Sequence, residues 1–418
     1  MKKLVKYTSI ALLISTPIFT IAQTSPKETK LTETIIRKPS FGLEIGLGAE
    51  NTSQYLHLLK GKKVGVVSNQ TGILRVNPEN LVYKETIHLV DFLLDQKINV
   101  VKIYSPEHGF RGDADAGEKV KSGVDSKTGL PIVSLYGNNR KPTAEQIKDV
   151  DILLFDMQDV GARFYTYIST LHYVMEAAAE NGKKVIVLDR PNPNAHYVDG
   201  PVMQPEFTSF VGMHKVPIVY GMTIGEYARM INGEGWLKNG IKTDLSVIPL
   251  TYYKHSKKYT LPVKPSPNLP NDHSINLYPS TCLFEGTNVN EGRGTDIQFQ
   301  VYGSPYLKNM PFQYTPVSKP GATSPKFKDE LCFGEDLTET PYMNEISLKW
   351  LINAYQNNTK QPFWTLNGKK LWIDQLSGTA DLRKQIEAGW SEDRIKATWQ
   401  KDLEEFKKVR SKYLIYQD

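Results

Sequence analysis

The chain has 418 residues, 40% of them hydrophobic and 23% charged, with a formal net charge of +6. That length and apolar content suit one large or two ordinary domains around a real core, and exclude a mainly disordered chain. The cysteine count is two, Cys282 and Cys332, with no CxxC and no zinc-ligand spacing, which excludes a disulfide scaffold or zinc module and leaves one disulfide or two buried thiols open.

The chain opens "MKKLVKYTSIALLISTPIFTIAQ": three lysines, an apolar stretch, then the small residues Thr20 and Ala22 ahead of Gln23. This is the pattern of a secretory signal peptide, too short and too interrupted for a spanning helix. Residues 1–22 are expected to be removed, leaving a protein exported to the periplasm or the medium with no membrane association. Their loss takes three lysines and no acid, so the formal charge falls to +3. So mild a balance, with no basic run, does not point to nucleic acid as a partner.

Residues 23–50 are polar and mixed, and read as a lead-in. From Gly61 onward β-branched runs, "KKVGVVS", "NVVKIYS", "PIVSLYG", "DILLFDM" and "KKVIVLD", alternate with helical periodicity such as "YTYISTLHYVMEAAAENG". The pattern predicts an α/β domain over 51–260, a Rossmann-like parallel sheet with helices on both faces. No GxGxxG follows the first strand, so neither a nicotinamide nor a flavin cofactor is expected. Prolines cluster in "VKPSPNLPNDHSINLYPS", and a smaller α+β C-terminal domain is expected over 261–418, its final helix docking through Trp399, Leu403, Phe406, Val409 and Tyr413.

Parallel sheets bind ligands beyond the carboxyl ends of their strands. There this chain sets "SNQTG", "SPEHGFRGDADAGE", "YGNNRKP", "DMQDVGARFYTY" and "DRPNPNAH", and with them Asn69, Glu107, His108, Arg111, Arg163, Tyr165, Tyr167, Arg190 and Asn192 as candidate site residues. Asp156, Gln158 and Asp159 fit two readings, turn and cap residues for the helix near Arg163 or groups of the site. Asn268 in "PSPNLP", with Glu285, Asn288, Glu291 and Arg293 in "FEGTNVNEGRGT", completes the set, the glycines of the second stretch suggesting close approach of a polar ligand to backbone. Carboxylates, tyrosines, asparagines and arginines with no G-x-S-x-G elbow and no metal cluster suit a sugar site. Glycosidic cleavage needs an acid for the leaving oxygen, and Glu107 is suited to that role.

The motifs "SPEHGFRG", "DMQDVGARFYTY", "LDRPNP", "GPV", "YGMTIGEYA", "PSPNLP" and "FEGTNVNEGRGT", in that order, resemble those of the exo-β-N-acetylmuramidases, a glycoside hydrolase family formerly a domain of unknown function. The resemblance runs from about Gly61 to the C-terminus. It implies release of N-acetylmuramic acid from the non-reducing ends of peptidoglycan-derived muropeptides or MurNAc–GlcNAc fragments, with no cofactor or metal, a Rossmann-like catalytic domain and a C-terminal domain closing the cleft. The family's catalytic glutamate maps onto Glu107. The lactyl carboxylate of this substrate calls for a bidentate cation, with Arg111, Arg163, Arg190 and Arg293 as candidates. If the 2-acetamido group is the nucleophile, Asp156 or Asp159 would orient it, and His108 would tune the charge of the site. A muropeptide-capture protein without catalysis is the alternative class.

Overall fold

Five apolar runs become neighbouring strands of one sheet in the computed structural model, which describes residues 44–76, 85–107, 109–110, 122–307 and 309–417. The expected signal peptide, His108 and Arg111 lie outside the described residues. The strands are β1 (Val64–Ser68), β2 (Val100–Ser105), β3 (Gly123–Val124), β4 (Pro131–Ser134), β5 (Ile152–Asp156), β6 (Lys184–Leu188) and β7 (Asp244–Ile248). They are ordered β3-β4-β2-β1-β5-β6-β7, and every neighbouring pair is parallel except β3 with β4. The chain leaves β1 in one direction through β2 and β4, then crosses to build β5 to β7 on the other side. The order therefore reverses between β1 and β5, the kind of point where ligand crevices open in such sheets.

Alternation along each strand divides the core in two. Val67, Leu153, Phe155, Val185 and Val187 face one apolar cluster, packed with the helices Tyr167–Glu180 and Ile224–Gly233. Val64, Val66, Ile152, Leu154, Ile186 and Leu188 face the other, beneath Thr52–Leu59 and Leu89–Asp95. Both faces are thus covered, which is why the strands read as almost unbroken apolar runs. Residues 44–50, at the end of the lead-in, are built into the body: Gly46 pairs with Thr251, and Arg75 grips Glu50 through Nε (2.7 Å) and Nη2 (2.6 Å).

Beyond the helix Asp272–Thr281, capped by the Asn271 side chain accepting from Ser274 N at 2.8 Å, comes a smaller antiparallel sheet. Its strands β8 (Val301–Ser304), β9 (Phe312–Tyr314) and β10 (Cys332–Asp336) lie in the order β8-β10-β9. The helices Lys349–Asn357, Trp372–Ser377, Asp381–Glu387 and Glu392–Arg410 complete this α+β part. The last helix buries Ile395, Trp399, Leu403 and Phe406, and the Trp399 indole donates to Asp199 Oδ1 at 3.2 Å. The larger apolar cluster extends without a break from Val67 in β1 to Phe406 in this helix, so the two parts share a core. Cys282 and Cys332 are both free and buried.

Candidate active site

Strand β2 ends at Ser105, and the chain turns at once: Gly109 N donates to Pro106 O at 3.2 Å, with Gly109 at φ +77°, a conformation that favours glycine. The turn leaves Glu107 half-buried on the wall of a cleft of about 1280 Å³. Thr166, from the loop after β5, donates its hydroxyl to Glu107 Oε2 at 3.1 Å. Tyr136, from the loop after β4, faces the same carboxylate. Burial first, then the charge and hydrogen bond of Glu107, push its phenol well above the usual range. Three strand ends therefore converge on one carboxylate.

The "PSPNLP" segment is tied to the same edge. Tyr165 donates to Pro265 O at 2.7 Å; Tyr167 donates to it at 3.4 Å while accepting from Asn69 Nδ2 at 2.6 Å. The two rings meet edge to face, centroids 4.7 Å apart. Tyr165, Ser266 and Leu269 consequently line the cleft. Asn69 is fully buried, its Oδ1 accepting from Thr71 N and Oγ1, so it holds the loop rather than facing the cleft.

The C-terminal part supplies Glu285, Glu291, Arg293 and Lys326. Arg293 lies between two acids, Nη2 on Glu285 Oε1 at 2.6 Å and Nε on Glu291 Oε1 at 2.9 Å, with Nη1 lacking a partner. The two charges hold its guanidinium well above its ordinary range against the opposing effect of burial. Lys326 Nζ donates to Phe284 O (2.8 Å) and Val289 O (3.0 Å), and lies 3.3 Å from Glu291 Oε2. The glycines here serve the turn itself. Gly292 sits at φ +84°, and a Cβ on it would stand 2.8 Å from Ile297 O. Asn288 donates to Lys360 O and Pro362 O, fastening the loop from behind.

Of the residues singled out in the sequence, Glu107, Tyr165, Glu285, Glu291 and Arg293 line the cleft; the other described ones bond inward. Asp156, fully buried, is gripped bidentately by Arg190, whose Nε and Nη2 lie 2.5 and 2.9 Å from its oxygens. Asp159 accepts from Tyr220 Oη and from Gly161 N at 2.8 Å; its Oδ1 has no partner, and burial pushes this carboxyl up to about 6. Gln158 donates to Pro191 O at 2.6 Å, Asn192 to Met222 O at 2.8 Å and Asn268 to Gly321 O at 2.7 Å. Arg163, fully buried, donates to the carbonyls of Pro201, Val216, Leu376 and Ser377.

The sequence reading passed over Tyr136, Arg140, Thr166, Lys326 and Trp372, all of which line the cleft. "YGNNRKP" stood at a strand end, so its tyrosine and arginine carried a positional signal. Lys326 and Trp372 arrive from distant segments with no local signal.

A cleft of this size, edged by carboxylates, cations and aromatic rings at the carboxyl end of a parallel sheet, is the equipment of a glycoside hydrolase. The comparisons narrow this class. The family model for "Exo-beta-N-acetylmuramidase NamZ, N-terminal" matches residues 64–273, and its C-terminal counterpart matches 276–416. The peptidoglycan β-N-acetylmuramidase NamZ of Bacillus subtilis (strain 168) is 41% identical over 382 residues, covering 87% of this chain and 89% of its own. Crystal structures of two DUF1343 family proteins from Bacteroides fragilis NCTC 9343 superpose with TM-scores of 0.80 and 0.73, at 46% and 30% identity. They cover 90% and 89% of this chain, and 99% of each of those chains. The chain belongs to the exo-β-N-acetylmuramidase NamZ family.

Proposed function

We propose that this enzyme releases N-acetylmuramic acid from the non-reducing ends of peptidoglycan-derived glycans, with Glu107 as general acid. The observation that carries the reading is the convergence of Tyr136 and Thr166 on Glu107, the cleft-lining carboxylate at the end of β2. Protonated Glu107 gives its proton to the glycosidic oxygen as the bond to C1 breaks. The 2-acetamido oxygen attacks C1 to form an oxazolinium ring, and water, deprotonated by the Glu107 carboxylate, then opens the ring and restores the acid. Orientation of the acetamide falls to a cleft acid. Glu285 suits it, because its charge, like that of Glu107, acts on the Tyr136 phenol, whereas both Asp156 oxygens are occupied by Arg190.

Export through the leader at residues 1–22 is part of this reading, since the substrate lies outside the cytoplasmic membrane. Amino-terminal sequencing of the secreted protein checks it, a start at Gln23 being expected. For the chemistry, Glu107→Gln is expected to lower release of nitrophenol from para-nitrophenyl β-N-acetylmuraminide by roughly 10³-fold or more, with an unchanged melting temperature. A folded, fully active variant rejects the assignment.

A further inference from the structure

Three cations among the described residues line the cleft: Arg140, Arg293 and Lys326. Two are already answered. Arg293 is held between Glu285 and Glu291, and Lys326 is tied to backbone carbonyls and Glu291. Arg140 makes no ion pair or hydrogen bond with any described residue. Its guanidinium lies over the Phe210 ring at 4.3 Å from the centroid, and Phe210 is in turn stacked on Tyr173, 6.2 Å away with planes 14° apart. A guanidinium resting on an aromatic face has its plane fixed while its N–H edges stay open, the arrangement that receives a carboxylate with two parallel hydrogen bonds. It is also near the reacting group. The Tyr136 phenol is raised by the charge of Glu107 and lowered by that of Arg140, so the two charges act on one hydroxyl.

We infer that Arg140 is the specificity-determining residue that binds an anionic substituent on the sugar in the reacting position. Resting on the function proposed above, this assigns it the lactyl carboxylate at O3, the group that distinguishes the muramic from the glucosamine sugar. The sequence offered four other arginines for this task. Arg163 and Arg190 are buried, their guanidinium groups turned onto backbone carbonyls and Asp156, Arg293 is neutralised by two acids, and Arg111 lies outside the described residues.

The test uses the mature protein with para-nitrophenyl β-N-acetylmuraminide as the free acid and as its lactyl methyl ester, which keeps the shape but removes the charge. For wild type the ester is expected to be cleaved roughly 30- to 100-fold less efficiently, chiefly through KM. Arg140→Ala is expected to lose that same factor on the acid and to cleave acid and ester alike, with an unchanged melting temperature because the residue is exposed. Arg140→Lys, which keeps the charge without the fork, is expected to fall between them, about 10-fold below wild type on the acid. If wild type prefers the acid and Arg140→Ala prefers it equally, the Arg140 assignment is overturned while the proposed function stands. If wild type neither cleaves the acid nor binds N-acetylmuramic acid by calorimetry, the proposed function falls, and this assignment with it.

Discussion

At the scale of single residues, the strand-end rule found the right edge of the sheet but not the direction in which each side chain points. Glu107, Tyr165 and Arg190 all follow strands, yet the first two line the cleft while Arg190 turns back onto Asp156. Sequence position carries no information about that choice, because it depends on which buried acids and carbonyls need a partner once the chain is folded. Asp159 is the case with a measurable consequence. Burial lifts its carboxyl to about 6, above the value of an exposed aspartate, so the folded state holds a proton that the unfolded chain gives up near pH 4. Folding is therefore favoured by this group below about pH 4, and that contribution is lost as pH rises through about 6. Asp159→Asn keeps an oxygen for Tyr220 and Gly161 and cannot ionise. Denaturation profiles are expected to show it more stable than wild type above pH 7, by on the order of 2 kcal/mol relative to the difference measured at pH 4. A pH-independent difference would contradict this account.

At the scale of elements, five strands were legible because β-branched runs of that length, buried on both sides, have few other fates. The two edge strands were not. Gly123–Val124 is only two residues long, and in Asp244–Ile248 polar residues interrupt the apolar ones. Between elements, Arg163 does what no periodicity announces. From the loop after β5 its guanidinium reaches Leu376 O at 3.0 Å and Ser377 O at 2.6 Å at the end of the helix Trp372–Ser377, while also holding Pro201 O and Val216 O. Without an acid beside it, burial draws its pKa down to about 9, yet it stays charged at neutral pH. Arg163→Ala would leave the carbonyls of Pro201, Leu376 and Ser377 short of a donor, Val216 O keeping the Met203 N–H, and would open a space the size of the side chain. A loss of about 3–5 kcal/mol in denaturant unfolding is expected, and Arg163→Lys, which cannot span all four acceptors, is expected to recover less than half of it.

At the scale of the whole molecule, the proline-rich change of pattern near residue 261 suggested two domains, and the family models divide close by, between residues 273 and 276. The packing is less divided than the pattern. One apolar cluster includes Val67, Phe155, Tyr278, Leu376 and Phe406, so the C-terminal part shares its core with one face of the large sheet, while the cluster on the other face lies wholly in the N-terminal part. The C-terminal residues reinforce this: Tyr416 donates to Asp189 Oδ2 at 2.5 Å and accepts from Leu250 N at 2.8 Å, at the edge of the large sheet. Scanning calorimetry is accordingly expected to show one transition, with calorimetric and van't Hoff enthalpies in agreement. Tyr416→Phe should lower its midpoint without splitting it. Two separable transitions would contradict a shared core. This sharing was beyond the reach of the sequence, since it depends on contacts between residues hundreds of positions apart.

The hydrogen bonds from Tyr165 and Tyr167 to the single carbonyl of Pro265 make the wall of the cleft at Tyr165 and Ser266 a bracket. An engineer wishing to admit a bulkier glycan would gain nothing by trimming side chains there, because the wall is set by backbone held on two phenols. The lining stretch at residues 320–325 is fastened to the same segment, Asn268 donating to Gly321 O at 2.7 Å, so reshaping it would have to keep that carbonyl in place.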